Sequence, residues 1–516
     1  MFKAGEYSIS NEFSWIGDWG KRRALLTPNR EAIFDNIEKK LYTYKDLNLR
    51  ANKLARVLIN QGISKGDRVA MFSTNRIECI DLFLATGKLG AILVPFNIRL
   101  SIQEIEYLIK KTSPSIFFYE SKMQDTVSQL KEKALVKKNV VMGNKSVLND
   151  PTTNNLTKSV SDSEVERPRL NFEDPHLILF TGGTTGLPKG AVLSHRLIFW
   201  NSINTILSWN LRPDEIQPLL FPLFHTGGWN VLLVPFYHLG AKTILMGDFD
   251  PKETIRIIEE EKCTIVIGVP TMFHMMANFP IFEKSTFESV RVFISGGAPC
   301  PVAIMENYWA KNKLFKMGYG LTEVGPNNFY LPEKYIKEKP TSVGLPVLHC
   351  DMKIISTKTN DIVKQGEVGE LLLKGPHIFS GYWDEPEDTK KTIEPDGWVH
   401  TGDLAMQDKD GFYYIVGRRK EMYISGGENV YPVEIEELLF KHPAIDLAAV
   451  IGVPDEKWGE VGKAFLTLKP GKSLEVDEIR NYLKEGLAKY KIPRYFEIRK
   501  SLPTSATGKI LKRELN

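Results

Sequence analysis

An α/β protein with parallel sheets, a β-rich portion late in the chain and a small α+β domain at its end is the fold class this sequence predicts. Three observations predict it. Strand-like and helix-like segments alternate in two series, one over residues 67–120 and one after residue 195. Between them an apolar run empties into the turn TGGTTGLPKG at 181–190. The apolar pattern then changes after about residue 340 and again from Lys420.

The elements follow in order. Leu47–Gly62 spaces its Leu and Val residues for one buried helical face. DRVAMFST (67–74) reads as a strand, RIECIDLFLATGKLG (76–90) as a helix and AILVPF (91–96) as a second strand. Ser101 and Glu104 form a capping-box pair ahead of a further helix, and SIFFYE (115–120) is the next strand. This βαβαβ order implies parallel pairing with right-handed crossovers. Residues 121–173, rich in Lys, Ser, Asn, Thr and Asp, read as an exposed or weakly ordered excursion. After the turn, a helix from about Arg196, a strand at LLFPLF, an apolar helix near 228–239 and the strand KTILM resume the alternation. A helix with Pro251 at its start and strands at 264–270, 291–295 and LFKMG complete the second series. Its loops leave the carboxyl ends of parallel strands, where open α/β sheets bind ligands. MKIIS, GELLLKG and GFYYIVG are β-like, and the last stretch of about 95 residues carries two helices and three strands of its own.

Composition excludes several function classes. The 67 basic and 63 acidic residues are mixed along the chain and leave a net charge of +4, which gives no support for nucleic-acid binding. Cys79, Cys263, Cys300 and Cys350 lack metal-ligand spacing and read as buried thiols in a reducing compartment. The longest apolar segment, Val231 to Leu239, is about half the roughly 20 residues that a membrane span needs. With no apolar signal core at the start, a cytoplasmic location is the expectation.

The turn at 181–190 has the chemistry of a phosphate grip, since glycines and threonines let N–H groups and hydroxyls approach phosphate oxygens while Lys189 adds a point charge. It is not a Walker A loop, because GxxxxGK[ST] cannot be laid on it. GYGLTEVG, near 320, is not a dinucleotide fingerprint either, since Glu323 occupies the third glycine position.

TGGTTGLPKG, YGLTE (319–323), HTGD (400–403), GRRK (417–420), SGGENVYPVEIE (425–436) and PTSATGKI (503–510) occur in this order. The series resembles that of the adenylate-forming superfamily of acyl-CoA synthetases, coumarate-type ligases, luciferases and peptide-synthetase adenylation domains, over nearly the whole chain. The resemblance implies a large domain at 1–417, a hinge at 418–420 and a small mobile domain at 421–516. It implies that a carboxylate attacks the α-phosphorus of ATP, giving an acyl-adenylate and pyrophosphate, and that a thiol, usually of CoA, then displaces AMP. A carboxylate is already nucleophilic at pH 7, so the demands are charge neutralisation and an in-line pose.

The same resemblance implies roles for individual residues. Lys509 would bridge the carboxylate and the α-phosphate. Thr184, Thr185 and Lys189 would contact the triphosphate, with Thr181, Gly182, Gly183 and Gly186 shaping the loop; many relatives have Ser where this chain has Gly182. Glu323, with Thr185, would hold Mg²⁺. Asp403 would accept the ribose hydroxyls and Arg418 would add contacts to ribose or phosphate. Gly297, Ala298 and Pro299, with Gly318, Tyr319, Gly320 and Thr322, would wall the adenine pocket. Lys420 would be the hinge, and Gly426 and Gly427 would line the thiol tunnel. Ile424 stands where some relatives carry a second lysine, and Glu421 where many have Asp.

His225 in PLFHTGG resembles the gate beside the acyl pocket, with Trp229, Val231 and Leu232 making that pocket apolar. FHTGGWN offers no carboxylate for a substrate ammonium, and no carrier-protein segment precedes Asn516, which argues against an amino-acid adenylation domain. Medium- or long-chain fatty acids are the first expectation and coumarate- or benzoate-like aryl acids the second. Transfer to a carrier protein stays open, as does a homodimer. A non-catalytic adenylate-binding relative is the alternative from another class; intact Lys189, Glu323, Asp403, Arg418 and Lys509 weigh against it.

Overall fold

The computed structural model describes residues 13–181, 188–505 and 508–515. The chain divides into two compact units, one of residues 1–249, 321–327 and 375–395, the other of 250–320, 328–374 and 396–516.

In the first unit a six-stranded sheet runs in the order Asn139–Met142, Ile116–Glu120, Arg68–Phe72, Ile92–Pro95, Pro175–Thr181, Lys189–Ser194. The first five strands pair in parallel, as the βαβαβ order requires. The last pair is antiparallel and sets Thr181 opposite Lys189. The helix Ile102–Thr112 starts at the expected capping box: Glu104 N–H donates to Ser101 Oγ at 3.3 Å, and Ser101 N–H returns to Glu104 Oε2 at 2.8 Å. Such a cap contributes about 1 kcal/mol. Ile105, Leu108 and Ile109, on its i, i+3, i+4 face, pack into the core beside Phe72, Val94 and Phe117. A smaller mixed sheet, Lys40–Thr43, Glu31–Asp35, Lys242–Leu245, Ile216–Leu219, completes the unit's strands.

Residues 121–173 are not the loose excursion their composition predicts. They contain the helix Gln124–Glu132, the edge strand Asn139–Met142 and the helix Thr153–Lys158. Only Val127 and Leu130 of the first helix are buried, so its apolar face is too narrow to stand out among polar residues. The stretch is also tied down by charge. Lys88, buried at 1% exposure, meets Asp18 at 2.6 Å and Glu164 at 3.4 Å. The strand expected at LLFPLF lies earlier, at Ile216–Leu219. Past it the Asn75 side chain replaces a neighbouring strand, donating to Phe221 O at 3.0 Å and accepting from Leu223 N–H at 2.9 Å.

In the second unit, Ile265–Gly268, Val292–Ser295 and Phe315–Met317 form a parallel sheet. A six-stranded antiparallel sheet holds Phe329–Tyr330, Ser342–Pro346, Tyr413–Arg418, Val399–Gln407, Gly369–Lys374 and Asp351–Ile355. The final sheet draws on Glu428–Val430, Tyr423–Ser425, Gly459–Leu468, Ile445–Asp455 and Tyr495–Ile498, and shares a core with the helices Pro432–Phe440 and Val476–Gly486. All four cysteines are buried free thiols. Among the described residues no helix is long and apolar enough to cross a membrane.

Candidate active site

In the first unit, Glu323 is the centre of a polar cluster. Thr181 Oγ1 donates to Glu323 Oε1 at 3.3 Å and the Tyr382 hydroxyl donates to the same oxygen at 3.0 Å. Lys189, opposite Thr181 in the antiparallel strand pair, pairs with Asp388 at 2.5 Å, and its ammonium lies 5.6 Å from the centre of the Tyr382 ring. The hydrogen bond from Lys189 holds the Asp388 carboxyl below the usual carboxylate range. Burial, reinforced by the Glu323 charge, pushes the Tyr382 phenol up, so it stays a donor at neutral pH. Thr322 is half-buried beside Glu323. Gly182, Gly183, Thr184, Thr185 and Gly186 lie outside the described residues.

The segment around the expected acyl gate is a five-residue π-turn, Gly227–Val231. A π-turn breaks the regular i→i−4 ladder, and asparagine side chains bond carbonyls along this one. Asn201 Nδ2 donates to Asn230 O at 2.6 Å, and Asn327 Nδ2 donates to Val231 O at 2.8 Å. Val231 is buried, and Trp229 is fully so, with its ring stacked on Phe83 at 4.9 Å and its indole N–H bonded to Leu223 O. His225 is half-buried, and its Nε2 meets no hydrogen-bond partner among the described residues. Burial, with Arg99 adding to it, pulls this imidazole down to about 4, so it is neutral at pH 7.

In the second unit, Asp403 sits opposite Arg418 across two antiparallel strands. Its Oδ1 lies 3.0 Å from Arg418 Nε and its Oδ2 accepts from the Tyr319 hydroxyl at 2.7 Å. At 3% exposure, burial pushes its pKa up against the opposing pull of Arg418, Tyr319 and Lys509. Lys509 is depressed by burial first and then by Arg418, while Glu421 and Asp403 work the other way. The turn that carries Lys509 is closed by Lys509 N–H on Ser505 Oγ at 3.1 Å and Ser505 N–H on Lys509 O at 2.7 Å. Within it Gly508 has φ +77°, and a Cβ there would lie 2.3 Å from Thr271 Oγ1. Glu421 and Glu436 hold Lys512 at 3.4 and 2.7 Å.

Gly297 turns at φ +81° just past the strand Val292–Ser295, with Ala298 half-buried and Pro299 exposed. Gly318 N–H bonds Ser295 O at 2.8 Å, so the Gly297 and Gly318–Tyr319–Gly320 turns leave neighbouring parallel strands side by side. Lys420 is exposed. Gly426 and Gly427 make the left-handed turn between Tyr423–Ser425 and Glu428–Val430. The exposed Trp458 ring lies against Gly426. Tyr382, Asp388 and Trp458 were not singled out by sequence reasoning. SGYW and EDT carry no spacing that marks them, and only the contacts above do so.

The family described as AMP-binding enzyme matches residues 20–383, and its C-terminal domain matches residues 434–509. The chain belongs to this family. It is an adenylate-forming ligase of the acyl-CoA synthetase group, an AMP-forming acid–thiol ligase. A feruloyl-CoA synthase of Amycolatopsis sp is 35% identical over 500 residues, 97% of this chain and 98% of that protein. A long-chain-fatty-acid–CoA ligase of Bacillus subtilis is 33% identical over 525 residues, 95% and 92% of the two chains. The crystal structure of ATP-bound MatB from Rhodopseudomonas palustris superposes with a TM-score of 0.88 at 28% identity, covering 97% of this chain and 98% of that one.

Proposed function

We propose that this ligase activates an aryl or arylalkenoic acid with Mg·ATP and passes the acyl group to CoA. The carrying observation is the Tyr319–Asp403–Arg418 cluster with Lys509 beside it, which pairs a buried acceptor for ribose hydroxyls with a cation for the reacting end. In the first half-reaction a carboxylate oxygen of the acid bonds to the α-phosphorus and the bond from that phosphorus to the pyrophosphate oxygen breaks. Lys509 bridges the incoming carboxylate and the α-phosphate and offsets charge as it develops. Lys189, with Thr184 and Thr185, takes the departing pyrophosphate in this reading. In the second, the CoA sulfur bonds to the acyl carbon, the acyl–phosphate oxygen bond breaks, AMP leaves and the thiol proton passes to solvent.

Glu323 fits a divalent cation. Both hydrogen bonds to its carboxylate among the described residues fall on Oε1, which leaves Oε2 for a metal. Mg²⁺ is commonly held by one or two carboxylates plus phosphates and water, and no cluster of three protein ligands appears among the described residues. When bound, the ion would neutralise triphosphate charge. Lys420 is the hinge between residues 1–417 and 421–516 in this reading, and the Gly426–Gly427 turn lines the path of the thiol.

The aryl acid is placed ahead of the fatty acid, reversing the order expected from sequence. The likeness to feruloyl-CoA synthase supports this class. Fatty acids are the second reading, favoured by the likeness to the long-chain ligase. The test is a panel of hydroxycinnamic, benzoic, arylacetic and fatty acids with Mg·ATP, with and without CoA, measuring pyrophosphate and AMP. Pyrophosphate release is expected with aryl acids, with AMP release dependent on CoA. Turnover confined to fatty acids would overturn the substrate class. Adenylate formation without CoA-dependent AMP release would overturn the acceptor.

A further inference from the structure

We infer that Tyr382 is a positioning residue that sets Glu323 and Lys189 together; this rests on the adenylation reading above. Its hydroxyl donates to Glu323 Oε1 at 3.0 Å, and its ring lies 5.6 Å from the Lys189 ammonium. One side chain thus touches both groups assigned to the metal and the triphosphate. The hydroxyl occupies one carboxylate oxygen and leaves the other without a partner among the described residues, and the ring limits how far Lys189 can swing.

The backbone holds Tyr382 in place from both sides. Residues 380–383 lie along the strand Lys189–Ser194 as an added edge: Ser380 N–H bonds Val192 O at 3.0 Å, Val192 N–H bonds Gly381 O at 2.9 Å and Trp383 N–H bonds Gly190 O at 2.7 Å. On the other flank Tyr382 N–H donates to Thr389 Oγ1 at 2.9 Å. Gly381 has φ +124°, and a Cβ there would lie 2.6 Å from Thr389 Cγ2, so the close approach of the 386–392 helix depends on that glycine. The same helix carries Asp388, the ion-pair partner of Lys189. Tyr382 therefore sits on the element that ties the phosphate lysine to the carboxylate, and its rotation is restricted before any ligand arrives.

The test measures binding of a fluorescent ATP analogue to wild type, Tyr382→Phe, Tyr382→Leu and Glu323→Gln, in EDTA and across a Mg²⁺ titration, with melting temperatures taken alongside. Tyr382→Phe keeps the ring and loses the hydroxyl. It is expected to raise the Mg²⁺ concentration for half-maximal effect about tenfold, to leave the affinity in EDTA unchanged, and to add nothing in the Glu323→Gln background. Tyr382→Leu also loses the ring and is expected to weaken the EDTA affinity by about threefold or more. A Tyr382→Phe variant with wild-type Mg²⁺ dependence, equal weakening with and without Mg²⁺, or full additivity with Glu323→Gln would overturn the link to Glu323. A Tyr382→Leu variant as tight as Phe in EDTA would overturn the link to Lys189. These arms read binding, so they stand apart from the acid panel: a wild type that binds the nucleotide yet activates no acid sinks the proposed reaction and leaves this inference standing.

Discussion

Arg418 Nε lies 3.0 Å from Asp403 Oδ1, and the two residues face each other across neighbouring antiparallel strands. The arginine is partly exposed while the carboxylate is sealed at 3% exposure, so the pair gives Asp403 its counter-charge without hiding the guanidinium. Breaking a buried pair on one side leaves the other charge uncompensated, at a cost of about 3–5 kcal/mol for full burial and less here. Arg418→Ala is therefore expected to lower the melting temperature and to weaken AMP binding together, read by thermal denaturation and calorimetry. Asp403→Asn separates the two. Because burial raises the Asp403 pKa, the folded state binds its proton more readily than the unfolded chain does. Its contribution to stability is present at low pH and is lost as pH rises from the ordinary carboxylate range through the raised value. The melting temperature of Asp403→Asn relative to wild type is expected to improve over that window while nucleotide affinity falls at every pH.

Lys509→Ala is expected to lower pyrophosphate exchange by roughly two to three orders of magnitude, by analogy with the loss of an oxyanion-hole donor. Thioester formation from a preformed adenylate should survive. Burial and Arg418 depress this lysine, so adenylation by wild type should decline on the alkaline side at a pH below the ordinary lysine range. An alkaline limb at the unperturbed lysine value would contradict the assignment. Stability runs the other way: the neutral amine is the form the fold prefers, so the Lys509 contribution grows as pH rises through its lowered pKa.

Gly426→Val tests the thiol path. The turn has φ +60°, and a Cβ would lie 2.9 Å from Trp458 Cε3, so the substitution both strains the backbone and displaces the exposed indole. A left-handed non-glycine residue costs about 1–2 kcal/mol. The expected result is a raised half-saturating CoA concentration with pyrophosphate exchange near wild type. Equal loss in both half-reactions would remove Gly426 from the CoA side.

Leu130→Ala tests the structured nature of residues 121–173. Leu130 is fully buried in a hydrophobic core cluster of the first unit, and truncating a buried leucine costs about 2–5 kcal/mol. Denaturant unfolding of the variant should show a loss of that size. A change within about 0.5 kcal/mol, as for exposed positions, would restore the loose excursion.

Most of the strands and helices were legible because periodicity and capping are local. Ser101 and Glu104 announced their helix from three residues apart, and the alternation over 67–120 implied parallel pairing before any strand order was known. The 121–173 stretch was not legible, because its helices bury only a residue or two each and its edge strand spans four residues. Asp403, Arg418, Glu323, Lys189 and Lys509 could be named from motifs that keep their order along the chain. Tyr382 could not, since nothing in SGYW records that its hydroxyl meets a carboxylate 59 residues away.

The sequence by itself determined the family, the order of the elements and the residue types available for phosphate, ribose and carboxylate. Each of these is carried by neighbours in the chain. Only the tertiary structure decided the partners: Tyr319 with Asp403 at a separation of 84 residues, Thr181 with Glu323 at 142, and Gly508 packed so closely on Thr271 that no side chain fits between them. Those partners sit on different sheets, helices or loops, so no local pattern along the chain pairs them. Burial, which only the folded chain supplies, shifts the Asp403 carboxyl up and the Lys509 ammonium down.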